Sequence, residues 1–395
     1  MKRQLIISVF LILSFCSCKK DETIVEPETT DTTIHNDLIA GGGETSFQRI
    51  IGGQKLDGLY SVKQTSDGSY VFCGFTENDG ASERDIFLIR RNANGETVWI
   101  KKFSDSNTDQ GWFVEITSDN GFILATTSYL APSSSTNHNY SGQLIKTDAS
   151  GNQTWKQTFT FGNYTNFTTV MQTSDGGYIA CGTDYYSNKG ILLKTDASGT
   201  ESWRKTYGGI VEINNINKTN DGGLIMCGSV KTTSSSPTDL YIIRTNSTGD
   251  TIWTKTYGDA SDNTARAINE TPSGNFILCG YNTNPGASGY AKLIDSNGGQ
   301  IWHTDFLSSN VQALDNITTT NDNQFIAVGR NSFGTDNQAL LLKIDNSGNS
   351  VWIKWFNPRN YNLFNEVQQT TDNGFIIAGY TFGDGYVVKT DGNGN

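Results

Sequence analysis

The sequence predicts an all-β fold: a seven-bladed β-propeller with four antiparallel strands per blade, closed by an N-terminal strand that completes the last blade. Three observations predict it. First, a Thr-x-Asp/Ser marker recurs at Thr65, Thr117, Thr173, Thr219, Thr271, Thr320 and Thr370, with gaps of 52, 56, 46, 52, 49 and 50 residues. Four-stranded units of about 40–50 residues describe radial blades. Second, Trp99, Trp155, Trp203, Trp253, Trp302 and Trp352 each precede the next marker by 18 residues, except Trp203, which precedes it by 16. Third, the two ends of the chain are complementary. Counting 18 back from Thr65 reaches Phe47 in a segment that reads like the Trp segments, while the last repeat stops at KTDGNGN before its own Trp strand. A ring whose first strand fills its last blade accounts for this, and an open solenoid does not.

Each strand has its own signal. The first carries Val or Ile three residues before the marker (Val62, Val114, Val170, Ile216, Ile268, Ile317, Val367). The second resembles YIACG, the third ILLKTD and the fourth TWKQTF. Between the first two stands Asp-Gly or Asp-Asn, favoured where a hairpin needs positive φ. Between the last two stands Asp-x-x-Gly, where Asp accepts backbone N–H groups and Gly supplies the left-handed residue.

The expected domains are a leader at 1–17, an acylated Cys and flexible tether at 18–43, and the propeller at 44–395. Lys2 and Arg3 precede an apolar run from Leu5 to Phe15, too short to span a bilayer comfortably. Cys18 follows the small Ser17 and resembles the lipidated Cys of a bacterial lipoprotein signal peptide; an ordinary secretory peptide cut nearby is the alternative. Asp21 to Gly43 is rich in Thr, Asp, Glu, Pro and Gly, with too little apolar surface to fold alone. The net charge of −11 becomes −13 without Lys2 and Arg3, and with no basic stripe it argues against nucleic acid.

Cys73, Cys181, Cys227 and Cys279 all lie eight residues after a marker Thr, where other repeats have Ala or Val. They read as small apolar filler, too far apart for disulfides. The repeated Trp and Phe47 read as packing between blades. Trp112 lies outside the Trp register and reads either as packing or as an aromatic platform. Of the three His residues, His35 lies in the tether, His138 in a long loop and His303 beside Trp302. None belongs to a zinc motif or a recognisable triad, so neither a metal nor a cofactor is expected.

Both fixed turns fall at one end of the ring, so the variable loops share the other. From the Cys/Ala position to the third-strand Lys is 11 residues in repeat seven and 21 in repeat two. Variable loops on a rigid scaffold are where binding concentrates. The expected ligand-binding residues are Asp57, Asp109, Trp112, Tyr164, Asn263, Tyr361 and Asn362, with Tyr129, Tyr140, Tyr185 and Tyr186 nearby. Carboxylates and amides beside aromatic faces suit a sugar or a peptide; the repeated Asp and Asn also read as loop fasteners.

The DASGNQTW segment resembles the Asp-x-x-Gly-x-x-x-Trp element of quinoprotein-like propeller repeats. The Thr-x-Asp-Gly-Gly-Tyr segment is similar to repeats of Bacteroidetes surface lipoproteins, and Lys19-Lys20-Asp21-Glu22 looks like their export tag. Together the repeat segments cover 44–395. Quinoproteins hold their quinone under a vicinal Cys pair; this sequence has no Cys-Cys and seven repeats rather than eight, so that cofactor is not carried over. The resemblance implies an outer-membrane, lipid-anchored protein, surface or periplasm-facing. The expected function is a binding scaffold for a glycan or an envelope protein. Alternatives are a propeller lyase or hydrolase acting on polysaccharide, and an envelope assembly factor.

Overall fold

The computed structural model describes residues 35–41, 46–52, 55–77, 83–104, 108–129, 140–162, 164–258, 261–283, 287–307, 310–331 and 337–395. The leader, Cys18 and His138 lie outside the described residues. Among those described, every regular element is a β-strand. The strands form seven antiparallel sheets, six with four strands and one with five. The first strands of neighbouring sheets touch in a closed cycle, so they wall a central channel.

The closing strand is Phe47–Gly52. It pairs antiparallel with Asp384–Thr390, with Phe47 opposite Lys389 and Ile51 opposite Gly385. The Ser46 hydroxyl donates to the Asn395 carbonyl at 3.0 Å, so the closing strand starts where the last turn ends. Part of the segment expected as tether is itself a strand. His35–Gly41 runs antiparallel to Phe47–Gly52 and gives the seventh blade its fifth strand. An outer strand carries a row of free N–H and C=O groups, and the preceding chain is tethered close enough to pair with them.

Blades pack through the outer-strand aromatics. Trp99 meets Phe122 of the next blade edge-on at 6.0 Å, Trp155 meets Tyr178 at 5.5 Å, and Phe47 meets Tyr70 at 6.4 Å in the same way. Each ring also covers the next blade's Asp-x-x-Gly turn. At Gly151, whose φ is 77°, a Cβ would lie 2.7 Å from the Trp99 ring, so glycine is required twice over. Gly95 stands in the same relation to Phe47, also at 2.7 Å. The four domain cysteines are buried free thiols, and burial pushes Cys181 up to about 12.

The marker is a clamp. The third residue after each marker Thr is Gly or Asn at positive φ, from 58° at Asn323 to 83° at Gly222. Asp221 accepts from the Thr219 hydroxyl (2.7 Å), the Gly223 N–H (3.0 Å) and the Arg244 guanidinium (2.5 Å) of the third strand. Arg90–Asp67, Lys146–Asp119, Lys194–Asp175, Lys343–Asp322 and Lys389–Asp372 repeat the ion pair at 2.6–2.9 Å. The fifth blade has Ser273 instead. There Lys292 donates to Gln300 at 2.7 Å, and burial pulls its ammonium below the usual range.

These bonds predict an acid limit. The Thr219 hydroxyl, the Gly223 amide and Arg244 hold Asp221 at about 2, and the Thr65 hydroxyl is the main cause of the same value at Asp67. A carboxylate depressed on folding stabilises fully above its unfolded value near 4, and that contribution fades as the pH falls through about 2. The urea midpoint should therefore fall between about pH 4 and pH 2. Asp221→Asn should flatten part of that fall; an unchanged pH profile would show that the clamp does not contribute.

Candidate functional site

The first strand of every blade carries a one-residue bulge five residues before its marker. The bulged residues are Tyr60, Trp112, Thr168, Asn214, Arg266, Asp315 and Asn365. A bulge re-aims one side chain out of the ladder. Trp112, which looked out of register among the tryptophans, belongs to this second register.

Three of the seven fasten the ring. Thr168 donates its hydroxyl to the Ile213 carbonyl at 3.2 Å, Asn214 its amide to Ala265 at 2.8 Å, and Asn365 to Leu59 at 2.8 Å. Each acceptor is the carbonyl just before the next blade's bulge. The other four instead bring aromatic and charged groups together. Tyr60 and Trp112 stack at 4.7 Å, and the Trp112 indole N–H donates to Thr127 at 2.9 Å. Asp315 accepts from Arg330 at 2.7 Å and faces Arg266 at 3.9 Å.

Beside Tyr60, an open depression of about 790 Å³ is lined by Leu56, Phe75, Arg84, Tyr361, Tyr380 and Phe382, among others. The Arg84 guanidinium lies 4.3 Å over the Phe75 ring, and its Nε is 3.1 Å from Glu77. Tyr361 and Phe382 are 46% and 69% exposed, and both adopt the left-handed conformation, with φ of 63° and 42°. Phe382 N–H donates to the Tyr361 carbonyl at 3.0 Å. Thr381 pairs with Asp384 across Phe382 and Gly383, a two-residue turn with positive φ at both centres. That turn prefers Asn-Gly. A bulky residue there carries about 1–2 kcal/mol of strain, and such strain concentrates at functional sites.

A second aromatic group spans the second and third blades. Tyr129, Tyr140, Tyr164 and Tyr185 follow one another as tilted ring pairs at 4.9, 4.5 and 4.7 Å, and Tyr186 is 70% exposed. Burial, helped by Glu212, pushes the Tyr185 hydroxyl up to about 12.

The structure separates the expected residues into two sets. Tyr164 and Tyr361 are exposed, and Trp112 is half-buried under Tyr60. Asp57, Asp109 and Asn362 are buried at the starts of first strands. The Asn362 amide donates to Asn357 (2.7 Å) and to the Asn337 carbonyl (3.0 Å), and Asn263 donates to the Ser261 carbonyl (3.0 Å). Asn263 also borders a separate depression of about 350 Å³ that includes His303. His303 stacks on Tyr290 at 5.3 Å with its Nε2 3.1 Å from Asp305, and burial lowers its pKa. Sequence reading missed Tyr60, Phe75, Arg84, Arg266, Asp315, Arg330 and Phe382.

Deeper in the channel lie Lys63, Glu115 and Glu366. Glu366 accepts from the Val62 N–H at 2.7 Å through one oxygen and pairs with Lys63 through the other. Lys63 also sits 4.3 Å over Phe113, and burial raises the pKa of Glu115. Among the described residues, no group of three or more His, Cys, Asp or Glu is placed to hold a metal ion.

No protein-family model and no curated protein matches the chain. Solved structures do. A streptogramin B lyase aligns over 89% of this chain and 100% of its own, at 12% identity and a TM-score of 0.56. YCF48 bound to D1 peptide covers 90% and 98%, at 9% and 0.54. Sqt1 of Chaetomium thermophilum, bound to the N-terminus of ribosomal protein L10, covers 85% and 97%, at 9% and 0.52. What they share with this chain is the propeller. At such identities the likeness carries the fold and leaves function to the site itself.

Proposed function

We propose that this protein is a membrane-anchored β-propeller lipoprotein of the bacterial outer membrane. It acts as a binding scaffold whose variable-loop face captures an envelope protein or a glycan. The observation that carries the binding reading is the pair of exposed aromatics, Tyr361 and Phe382, held at positive φ beside the 790 Å³ depression. Nothing in packing calls for a strained phenylalanine that is 69% exposed. Tyr and Trp in a preformed recess are the usual anchors of an interface. Two of the solved propellers hold peptides, which supports a protein segment as the occupant.

Phe382→Asn tests this through opposite signs. It creates the preferred Asn-Gly turn, so stability should rise by about 1 kcal/mol. Retention of envelope proteins or arrayed glycans should fall at least tenfold. A variant that is stabilised but binds as well as the parent would remove Phe382 from the site. The anchor is tested separately: Cys18→Ala should move the protein from detergent-extracted membranes to the soluble fraction, with loss of incorporated palmitate label. Continued labelling would assign lipidation elsewhere.

The lyase or hydrolase reading calls for acidic groups free to exchange protons in the channel. Both Glu366 oxygens are already engaged by Lys63 and Val62, which leaves Glu115, its pKa raised by burial, as the carboxyl of this pair that such a reading would use. Turnover of a polysaccharide without stable retention of any ligand would favour that reading over the scaffold.

A further inference from the structure

The binding reading leaves the chemistry of the occupant open, and the bulge register narrows it. Asp315 faces two guanidinium groups, Arg330 at 2.7 Å and Arg266 at 3.9 Å, so the trio carries a net charge of about +1. It does so in a chain of net charge −11. The Arg266 contact is too long for a hydrogen bond. Its Nε is buried without a hydrogen-bond partner, and its guanidinium lies 5.4 Å from the Tyr281 ring. The side chain is 37% exposed, so a ligand can reach it. Exposed Glu212 is a further charge on this side of the ring, acting with Arg266 on Tyr185.

The charged trio adjoins the apolar depression through Arg330. Arg330 pairs with Ala313 as Tyr380 pairs with Leu363, so the two residues hold the same place in the second strands of neighbouring blades. Tyr60 and Tyr380 line the depression, and Arg330 belongs to the charged trio. The apolar depression on the seventh and first blades is therefore flanked by Arg330 of the sixth blade, with Asp315 and then Arg266 of the fifth blade beyond it.

Resting on the binding reading, we propose that this recess recognises an extended peptide in which a large apolar side chain stands next to a carboxylate. The apolar side chain enters between Leu56, Phe75 and Phe382. The carboxylate is taken by Arg266, with the free N–H groups of Arg330. Charge complementarity selects the anion, because a guanidinium fork matches a carboxylate in charge and geometry. The depression favours a segment that carries a large apolar side chain. Leu56, Phe75 and Phe382 form its apolar wall, and Asp57, Tyr60, Arg84, Asn360, Tyr361 and Tyr380 share the lining, so an apolar side chain is covered while polar groups remain for a peptide backbone.

The test uses fluorescein-labelled decapeptides of glycine and serine with a central phenylalanine–glutamate, phenylalanine–glutamine, phenylalanine–lysine or alanine–glutamate pair, alongside polygalacturonate. Phenylalanine–glutamate should bind the intact protein at least tenfold tighter than the other three peptides. Arg266→Gln should remove most of that preference while leaving the thermal transition in place. Asp315→Asn releases both guanidinium groups and should tighten phenylalanine–glutamate binding severalfold. Equal binding of the glutamate and glutamine peptides would overturn the carboxylate proposal but leave the scaffold reading intact. So would weaker binding by Asp315→Asn or preference for the lysine peptide, which would mark a cationic ligand. Binding of polygalacturonate in place of every peptide would overturn the peptide class alone. Failure to bind any peptide or polygalacturonate would overturn this proposal; failure also to retain envelope proteins and arrayed glycans would overturn the scaffold reading with it.

Discussion

Phe47→Ala is expected to destabilise the propeller by about 3–5 kcal/mol, as much as loss of a core aromatic in any blade. Phe47 is 6% exposed and belongs to a core cluster with Ile51, Leu59, Tyr70 and Phe72. Its ring does what Trp352 does one blade earlier, covering a turn glycine and meeting the next blade's aromatic. The position is also topologically distinct. Every other outer strand is joined to its blade by a short turn, whereas Phe47–Gly52 reaches its partner from the opposite end of the chain. Removing residues 46–52 should therefore cost more than the side chain alone, because the seventh blade loses its outer strand and the first blade its neighbour. Urea unfolding of Phe47→Ala, with Trp352→Ala as comparison, measures the effect. A shift under about 0.5 kcal/mol, typical of an exposed site, would show that the ring does not depend on this strand.

The closure was legible because packing repeats. The Trp and the Thr-x-Asp marker serve the same contact in every blade, so they recur in the sequence, and the missing Trp strand could be counted back to Phe47. The recess was poorly legible for the complementary reason. The residues picked by shared register, Asp57, Asp109, Asn263 and Asn362, lie at the loop-to-strand junctions. There Asn362 and Asn263 bond to neighbouring loop atoms, a repeated task done by repeated residues. A ligand with one chemistry needs different groups on different blades. The bulge residues are Tyr, Trp, Thr, Asn, Arg, Asp and Asn, so although all stand five residues before a marker, no shared residue type draws notice to the position. Only the backbone reveals that the position is a bulge. Tyr361 was found because a large aromatic in a variable loop attracts notice, and Trp112 because it stands outside the register of the other tryptophans. Phe382 escaped because TFGDG reads as an ordinary turn until its φ of 42° is known. His35–Gly41 escaped because a strand that only caps an outer edge needs no apolar pattern of its own.

The bulge also yields the second large effect, Gly182→Ala, expected to cost about 3 kcal/mol, the upper end of overpacking penalties. A Cβ at Gly182 would lie 1.8 Å from the Asn166 carbonyl oxygen, which is backbone and cannot swing aside. Gly74, Gly228, Gly280, Gly329 and Gly379 face the corresponding carbonyl at 1.8–2.1 Å. This explains the Gly after the Cys/Ala/Val position, whose role the pattern alone did not disclose. The bulge drives a carbonyl toward the second strand, and only a residue without Cβ leaves room. The second blade arranges the pair the other way round. Thr126 occupies the glycine position, and the residue paired with it is Gly111 rather than a Leu, Phe, Ile or Ala. Each of the seven pairs before the bulge thus holds one glycine. Thr126→Gly should spare the bulge and cost about 1–2 kcal/mol, from strand entropy and from loss of the buried hydroxyl's bond to the Gln143 carbonyl. Gly182→Ala should instead disturb the bulge that aims Thr168 at the Ile213 carbonyl, loosening the third blade from the fourth. Amide hydrogen exchange would show this as faster exchange confined to Thr165–Gln172 and the adjoining strand Ile210–Lys218. If Gly182→Ala unfolds at the parent's urea midpoint with unchanged exchange there, the bulge is not what fixes the glycine, and the register that assembles the recess loses its physical cause.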